Sequence, residues 1–241
     1  MKPIFKFLAI FFSMGLFLSC SHEDDQDFPR AATIKVVNLI RDIDHVIVKI
    51  GDNPINYAGV SAGARVNFES FKNFSMEEGL NREVFIVAES DTLHSLYSNT
   101  LNLKGIHSLY FSGTSEAVET LLLEDTVKQF TDSIVGIRFL NLSKTSGPVD
   151  IMIAGEPSNI VSALEYESVT DYIEFPAKKA DGSYTFEFKN AAGNSIANII
   201  VDPLDANNRS TKKNLTLVIS EFKLPIGNGL LFHKITRVNN Y

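Results

Sequence analysis

The 241-residue sequence contains no tryptophan and a single cysteine. One cysteine excludes an intramolecular disulfide framework, a zinc site built from several thiolates and a redox CxxC pair. Basic residues are in the minority, 22 Lys and Arg against 29 Asp and Glu, for a net charge of −7. Phosphate binding needs a basic surface, so the balance argues against nucleic acid as a partner. Long apolar runs are missing as well. Beyond the N-terminus no stretch approaches the roughly eighteen apolar residues of a membrane span. What is present is a globular composition, 44% hydrophobic with 18 Phe. It argues against disorder and suits one or two domains that each bury a core.

The cysteine falls at position 20. Lys2 and Lys6 precede an apolar run from Phe7 to Phe17, which includes Leu8, Ile10, Phe11, Phe12, Met14 and Leu16, and small Ser19 stands directly before Cys20. A positive start, a short apolar run and a small residue form the pattern of a cleaved export signal, too short for a stable span. Ending in a cysteine, residues 1–19 resemble a bacterial lipoprotein signal peptide. Phe17 and Leu18 depart from the usual leucine and small residue. The resemblance implies that Cys20 becomes the mature N-terminus and carries acyl chains such as palmitate. Each buried CH₂ then contributes about 0.8 kcal/mol of membrane anchoring. Residues 20–30 read as an acidic tether, with Glu23, Asp24, Asp25 and Asp27 ahead of the first base, Arg30. Acids placed there resemble the surface-export signal of Bacteroidetes lipoproteins. That implies an outer-membrane anchor exposed at the cell surface rather than facing the periplasm. Cleavage would remove Lys2 and Lys6, making the mature chain still more acidic.

The rest of the chain is one unit written twice. Residues 34–55 align without a gap to 137–158, with identities at Ile34/Ile137, Asn38/Asn141, Leu39/Leu142, Val46/Val149, Ile50/Ile153 and Pro54/Pro157. Lys35/Arg138 and Arg41/Lys144 keep a basic residue. Farther along, VFIV (84–87) matches TFEF (185–188), HSLYF (107–111) matches LTLVI (215–219), and LLL (121–123) matches LLF (230–232). The reading is a first domain over 31–125, a linker over 126–133 and a second domain over 134–241.

Both copies show the period-two alternation of strands, as in Ile34, Val36 and Asn38 against Lys35 and Val37. Turn residues break them at Gly51–Pro54, Gly155–Pro157, Asp181-Gly182 and Asn190–Gly193. A short helix is expected at most around Ser75–Gly79 or Ser115–Glu119. Seven or eight short strands per copy predict an all-β protein of two tandem antiparallel β-sandwiches, immunoglobulin-like in outline with Greek-key connections. Asn141-Leu142-Ser143, Pro148–Gly155, Gly182–Phe188 and the strand Leu215–Ile219 resemble the domain-of-unknown-function family numbered 4397, common in exported bacterial lipoproteins. The first copy departs from it at Ile43-Asp44-His45. The family implies a fold and a location, and brings no catalytic residue.

Few residues suggest chemistry. Asn38 and Asn141 lie on the inward face of a strand beside a turn, and a buried amide must be hydrogen-bonded. A structural role, pinning the following loop, is expected of both. His22, His45, His94, His107 and His233 form no HxH or HExxH spacing, and the loop holding Asp202, Asp205, Asn207 and Asn208 lacks alternating acids. No metal site or cofactor is predicted. No GxSxG or SxxK motif is present, so the chain is read as a non-enzyme. Asp91-Thr92-Leu93, Asp125-Thr126-Val127 and Asp132-Ser133-Ile134 resemble the O-glycosylation acceptor motif of exported Bacteroidetes proteins, making Thr92, Thr126 and Ser133 candidate glycan sites.

The function expected is therefore a non-catalytic envelope lipoprotein that binds protein or glycan, or plays a structural part, at the cell surface. One alternative is a glycan-binding accessory lipoprotein of a polysaccharide-uptake system, with Tyr57, Tyr97, Tyr166 and Tyr172 as its aromatics. Another is a fimbrial subunit exchanging strands after proteolysis at Arg30 or Arg41.

Overall fold

The computed structural model describes residues 30–51, 65–130, 133–177, 182–203, 214–223 and 231–240. The first repeat supplies β1 (Ala31–Asn38), β2 (His45–Ile50), β3 (Arg65–Asn67), β4 (Ser70–Glu77), β5 (Asn81–Ala88), β6 (Asp91–Asn102), β7 (Ile106–Thr114) and β8 (Ala117–Glu124). The second supplies β9 (Ile134–Leu142), β10 (Val149–Ile153), β11 (Asn159–Leu164), β12 (Ile173–Pro176), β13 (Tyr184–Lys189), β14 (Ser195–Val201), β15 (Asn214–Lys223) and β16 (Leu231–Asn239). The sheets run β4-β1-β7-β8 and β3-β2-β5-β6 in repeat 1, and β12-β9-β15-β16 and β11-β10-β13-β14 in repeat 2. Adding eight to each strand number of the first pair gives the second. The internal repeat is thus a repeat of topology, and the fold is a tandem β-sandwich.

Two expectations need correction. In each sandwich the central pair is parallel, β1 with β7 and β9 with β15, so these sheets are mixed rather than purely antiparallel. Ser75–Gly79 and Ser115–Glu119 hold no helix: the first finishes β4 and the second starts β8, each with its turn. Phe74 and Met76 alternate inward with exposed Ser75 and Glu77, which is strand periodicity. Gly113, at φ +87°, tightens the β7–β8 hairpin, where a Cβ would strike the Ala117 carbonyl.

Each repeat has its own core. In repeat 1, Ile34, Val36, Val46, Val48, Val84, Ile86, Leu109 and Phe111 fill the space between the two sheets. In repeat 2 the equivalent layer is Ile137, Phe139, Val149, Ile151, Phe186, Phe188, Leu217 and Ile219. A third cluster joins the repeats: Val37, Leu39 and Tyr110 against Leu140, Leu142, Val218 and Val238. All of its members come from the β1- and β9-containing sheets. The architecture is therefore four layers, outer–inner–inner–outer, and the two inner sheets have both faces covered. This explains why β1 and β9 are buried on both faces along most of their length, Lys35 and Arg138 included. The stretch between repeats is packed too. Lys128 and Asn214 exchange hydrogen bonds of 3.2 and 2.9 Å, and the Phe130 ring occupies the space a Cβ on Gly136 would fill.

Asn38 and Asn141 hold matching positions. The Asn141 side-chain amide donates to the carbonyls of Gly147 (3.1 Å) and Leu164 (3.0 Å) and accepts from Ser143 N–H (2.9 Å). Asn38 donates to Ile43 (3.4 Å) and Val66 (3.5 Å) and accepts from Ile40 N–H (3.2 Å). Each ties the end of the first strand of its repeat to the turn ahead and to the third strand. Their own carbonyls accept from Glu69 and Glu167, two non-glycine residues at positive φ in equivalent turns. Asn141→Ala should lower stability by about 1–3 kcal/mol, and Asn38→Ala by less because its donated bonds are longer. Urea unfolding of both variants measures this, and equal or reversed losses would contradict the geometric ordering.

Candidate functional site at the seam

Where inner sheet meets inner sheet, the two repeats contribute matching rows of side chains. The alternate residues of the first strand and of the turn after it are Lys35, Val37, Leu39 and Arg41 in repeat 1, and Arg138, Leu140, Leu142 and Lys144 in repeat 2. Both rows read basic, aliphatic, aliphatic, basic. The parallel neighbour adds Ser108, Tyr110 and Ser112 opposite Thr216, Val218 and Ser220, again alike. The seam thus has an apolar middle with a polar region at each end.

One end is closed. Arg138 is ion-paired to Asp125 just after β8, with side-chain exposures of 6% and 1%. Ser108 donates to the other carboxylate oxygen of Asp125, Arg138 Nε donates to Thr216 (2.9 Å), and Thr216 donates to Asn240 (2.8 Å). The Arg138 guanidinium lies 5.0 Å from the Tyr172 ring centroid. Lys35, fully buried, donates to the carbonyls of Asn239 (2.6 Å) and Asn240 (3.0 Å) and sits 5.4 Å from the Phe71 ring. Burial lowers its pKa to about 8; Asp125 opposes the shift and Arg138 adds to it. Burial likewise raises the hydroxyls of Tyr110 and Tyr172.

The other end is an open cleft of about 240 Å³, lined by Leu39, Arg41, Ser112, Glu119, Leu142, Lys144 and Glu221 among others. Its charges pair across the seam in both directions. Arg41 of repeat 1 meets Glu221 of repeat 2, and Lys144 of repeat 2 meets Glu119 of repeat 1 at 2.7 Å. Thr145 N–H donates to Glu221 (2.9 Å) and the Tyr166 hydroxyl to Glu119. Burial raises the Glu119 carboxyl, but its bonds from Lys144 and Tyr166 outweigh that and leave it below the ordinary value. The positive and negative groups of the cleft satisfy one another, so it suits a neutral polar group better than a free ion.

The residues singled out from sequence do not converge on one site. Cys20 and His22 lie outside the described residues, as do Tyr57, Asp132, Asp205, Asn207 and Asn208. Thr92, Thr126 and Ser133 are exposed at separate places. Of their preceding acids that are described, Asp91 accepts from Leu93 N–H (3.1 Å) and pairs with His94, and Asp125 is the seam carboxylate. The tyrosines proposed as a glycan platform are engaged in packing. Tyr97 meets Phe111 edge-on, Tyr166 bonds Glu119, and Tyr172 is buried over Arg138. Arg41, a proposed cleavage point, is ion-paired in the seam, and β1 before it is a central strand between β4 and β7. Among the described residues no group of three His, Cys, Asp or Glu side chains is arranged to hold a metal. Sequence reading missed Asp125, Thr216 and Glu221 as seam partners. The matched basic pairs Lys35/Arg138 and Arg41/Lys144, six residues apart within each repeat, were the available signal.

Comparison with known proteins places no family on the chain: no family model matches, and no curated protein matches. Solved structures do align. A carbohydrate-binding module of family 26 from Eubacterium rectale Amy13K, in complex with maltoheptaose, aligns at 15% identity over 88% of this chain and 98% of its own, with a TM-score of 0.28. The fimbrial anchor protein Mfa2 from Porphyromonas gingivalis aligns at 9% identity over 88% and 99%, TM-score 0.27. An adhesin-like protein of Bacteroides ovatus, so described by its crystal structure, aligns at 9% identity over 87% and 97%, TM-score 0.23. At such scores none of the three bears on function.

Two predictions test the closed end. Asp125→Asn should cost about 3–5 kcal/mol, because it strands Arg138 in a dry environment, whereas Asp125→Leu with Arg138→Met should cost far less than the two single changes added together. Chemical denaturation of all four proteins gives the coupling, and simple additivity would show that the pair does not act as a unit. Lys35 sets a pH dependence. Its folded pKa lies below its unfolded one, so between about pH 8 and 10 the unfolded chain binds more protons and stability rises with pH. Above about pH 10 the buried tyrosines reverse the trend, because they hold their protons longest in the folded state. Lys35→Met should abolish the rise, which calorimetry across that range would show.

Proposed function

We propose that this chain is a non-catalytic lipoprotein of the bacterial cell envelope, anchored in the outer membrane through acyl chains on Cys20 and exposed at the cell surface. There the double sandwich acts as a binding or structural module for protein or glycan partners. The observation that carries the reading is the position of the one cysteine. It stands directly behind a short apolar run with a basic start, and an acidic tether follows it. The resemblance of the repeats to the domain-of-unknown-function family numbered 4397 fits the same setting. A non-catalytic role is supported by the seam, where the titratable groups are engaged with one another instead of converging on an open reaction centre. Of the partner surfaces, the outer sheets, the sheet edges and the cleft remain accessible, since the inner sheets are consumed by the seam.

Cys20→Ala tests the anchor. The substituted protein should leave the membrane fraction and lose palmitate labelling; unchanged attachment would overturn lipidation. Protease treatment of intact cells tests the address. Wild type should be degraded while a periplasmic marker survives, and resistance of wild type would place the domain behind the outer membrane.

A further inference from the structure

Among the described residues, the eight sheet edges are not alike. β3 carries Arg65, β4 carries Lys72 and Glu77, β8 carries Glu119 and Glu124, β12 carries Glu174 and Pro176, and β16 carries Lys234 and Arg237. Charges and proline are what keep an edge from pairing with another chain. β11 is uncharged but its pairing with β10 is irregular, and uncharged β14 lies alongside β16. β6 is protected only at its head, where Asp91 lies and its register with β5 shifts. It is the longest strand, pairs only with β5, and from Ser95 to Asn102 contains no charged residue and no proline. Over Tyr97–Asn102 its register with β5 is regular. Leu93, at the head of the same strand, is 88% exposed.

We propose that a second copy of this chain docks along the open edge of β6, forming an antiparallel β6–β6 ladder about a twofold axis near Ser98. An antiparallel pairing of identical strands sets each residue against its mirror position: Tyr97 meets Asn99, Leu96 meets Thr100 and Ser95 meets Leu101. A charged residue near the axis would oppose itself and be repelled, and this segment has none. The backbone N–H and C=O groups left over by β5 find partners, and the outer sheet of repeat 1 becomes eight strands continuous across the dimer. The contact is isologous, so it closes at two copies. A backbone ladder of this length with little side-chain burial makes a weak, reversible dimer. The proposal rests on the folded body and is independent of the anchoring of Cys20.

The test uses the full chain in detergent, with its mass followed by sedimentation from micromolar to millimolar protein. The expected result is a concentration-dependent dimer. In that dimer, amides of residues 95–102 should exchange hydrogen more slowly as concentration rises. Ser98→Asp sets two carboxylates face to face, beside Glu83, to which Ser98 now donates. It should weaken association by about tenfold or more, whereas Ser98→Ala, which also loses the bond to Glu83 but adds no charge, should leave association near wild type. A monomer at every concentration overturns the proposal, and so does a dimer whose β6 amides exchange at the monomer rate. Because the exchange measurement needs only wild type, the result stands even if the substituted chain folds poorly.

Discussion

Burial of both faces of the inner sheets is the constraint from which the rest follows. A sheet with one wet face can place its charges there, but β1 and β9 have no such face. The buried basic residues of their seam-facing rows, Lys35 and Arg138, must therefore find partners inside the protein, and Arg41 and Lys144 pair at the open cleft. Arg138 takes Asp125, Lys35 takes the carbonyls of Asn239 and Asn240, Arg41 takes Glu221, and Lys144 takes Glu119. Desolvating an ion pair offsets much of what the pair contributes, so these contacts are poor candidates for bulk stability. Their effect is on alignment. An apolar seam of Val, Leu and Tyr alone could slide, whereas charge pairs at both ends allow one register.

Much of this was legible in the chain, and the reasons for the rest are physical. The duplication was visible because core positions and turn positions recur at a nearly constant spacing. Strand identity was visible in VFIV and TFEF because period-two burial leaves its mark on sequence. The parallel β1–β7 pairing was hidden, since alternation reports which face is buried and says nothing of the neighbour's direction. The seam pairing of Asp125 was hidden for the same kind of reason. Next to Thr126 it forms a local motif, but its partner Arg138 is identified only once the two repeats are stacked. Ser75–Gly79 admitted a helix because its short polar composition is permissive; the inward side chains of Phe74 and Met76 decide for strand.

The same stacking sorts the surface. Each repeat gives one sheet to its twin and keeps one for the outside, so the residues free to meet a partner are those of the outer sheets and of the edges. Of the tyrosines that composition suggested for glycan contact, Tyr97 packs on Phe111, Tyr166 bonds Glu119 of the other repeat, and Tyr172 is buried over Arg138 of its own.

The position of β1 has a mechanical consequence. It begins at Ala31, just after the acidic segment 20–30, and lies between β4 and β7. If that segment were held at its far end, tension along it would load β1 lengthwise. The antiparallel ladder to β4 and the parallel ladder to β7 would then be strained in shear, with many hydrogen bonds resisting together instead of opening one at a time. Asn38 locks the far end of that strand into the turn ahead, and Lys35 couples it to the second repeat.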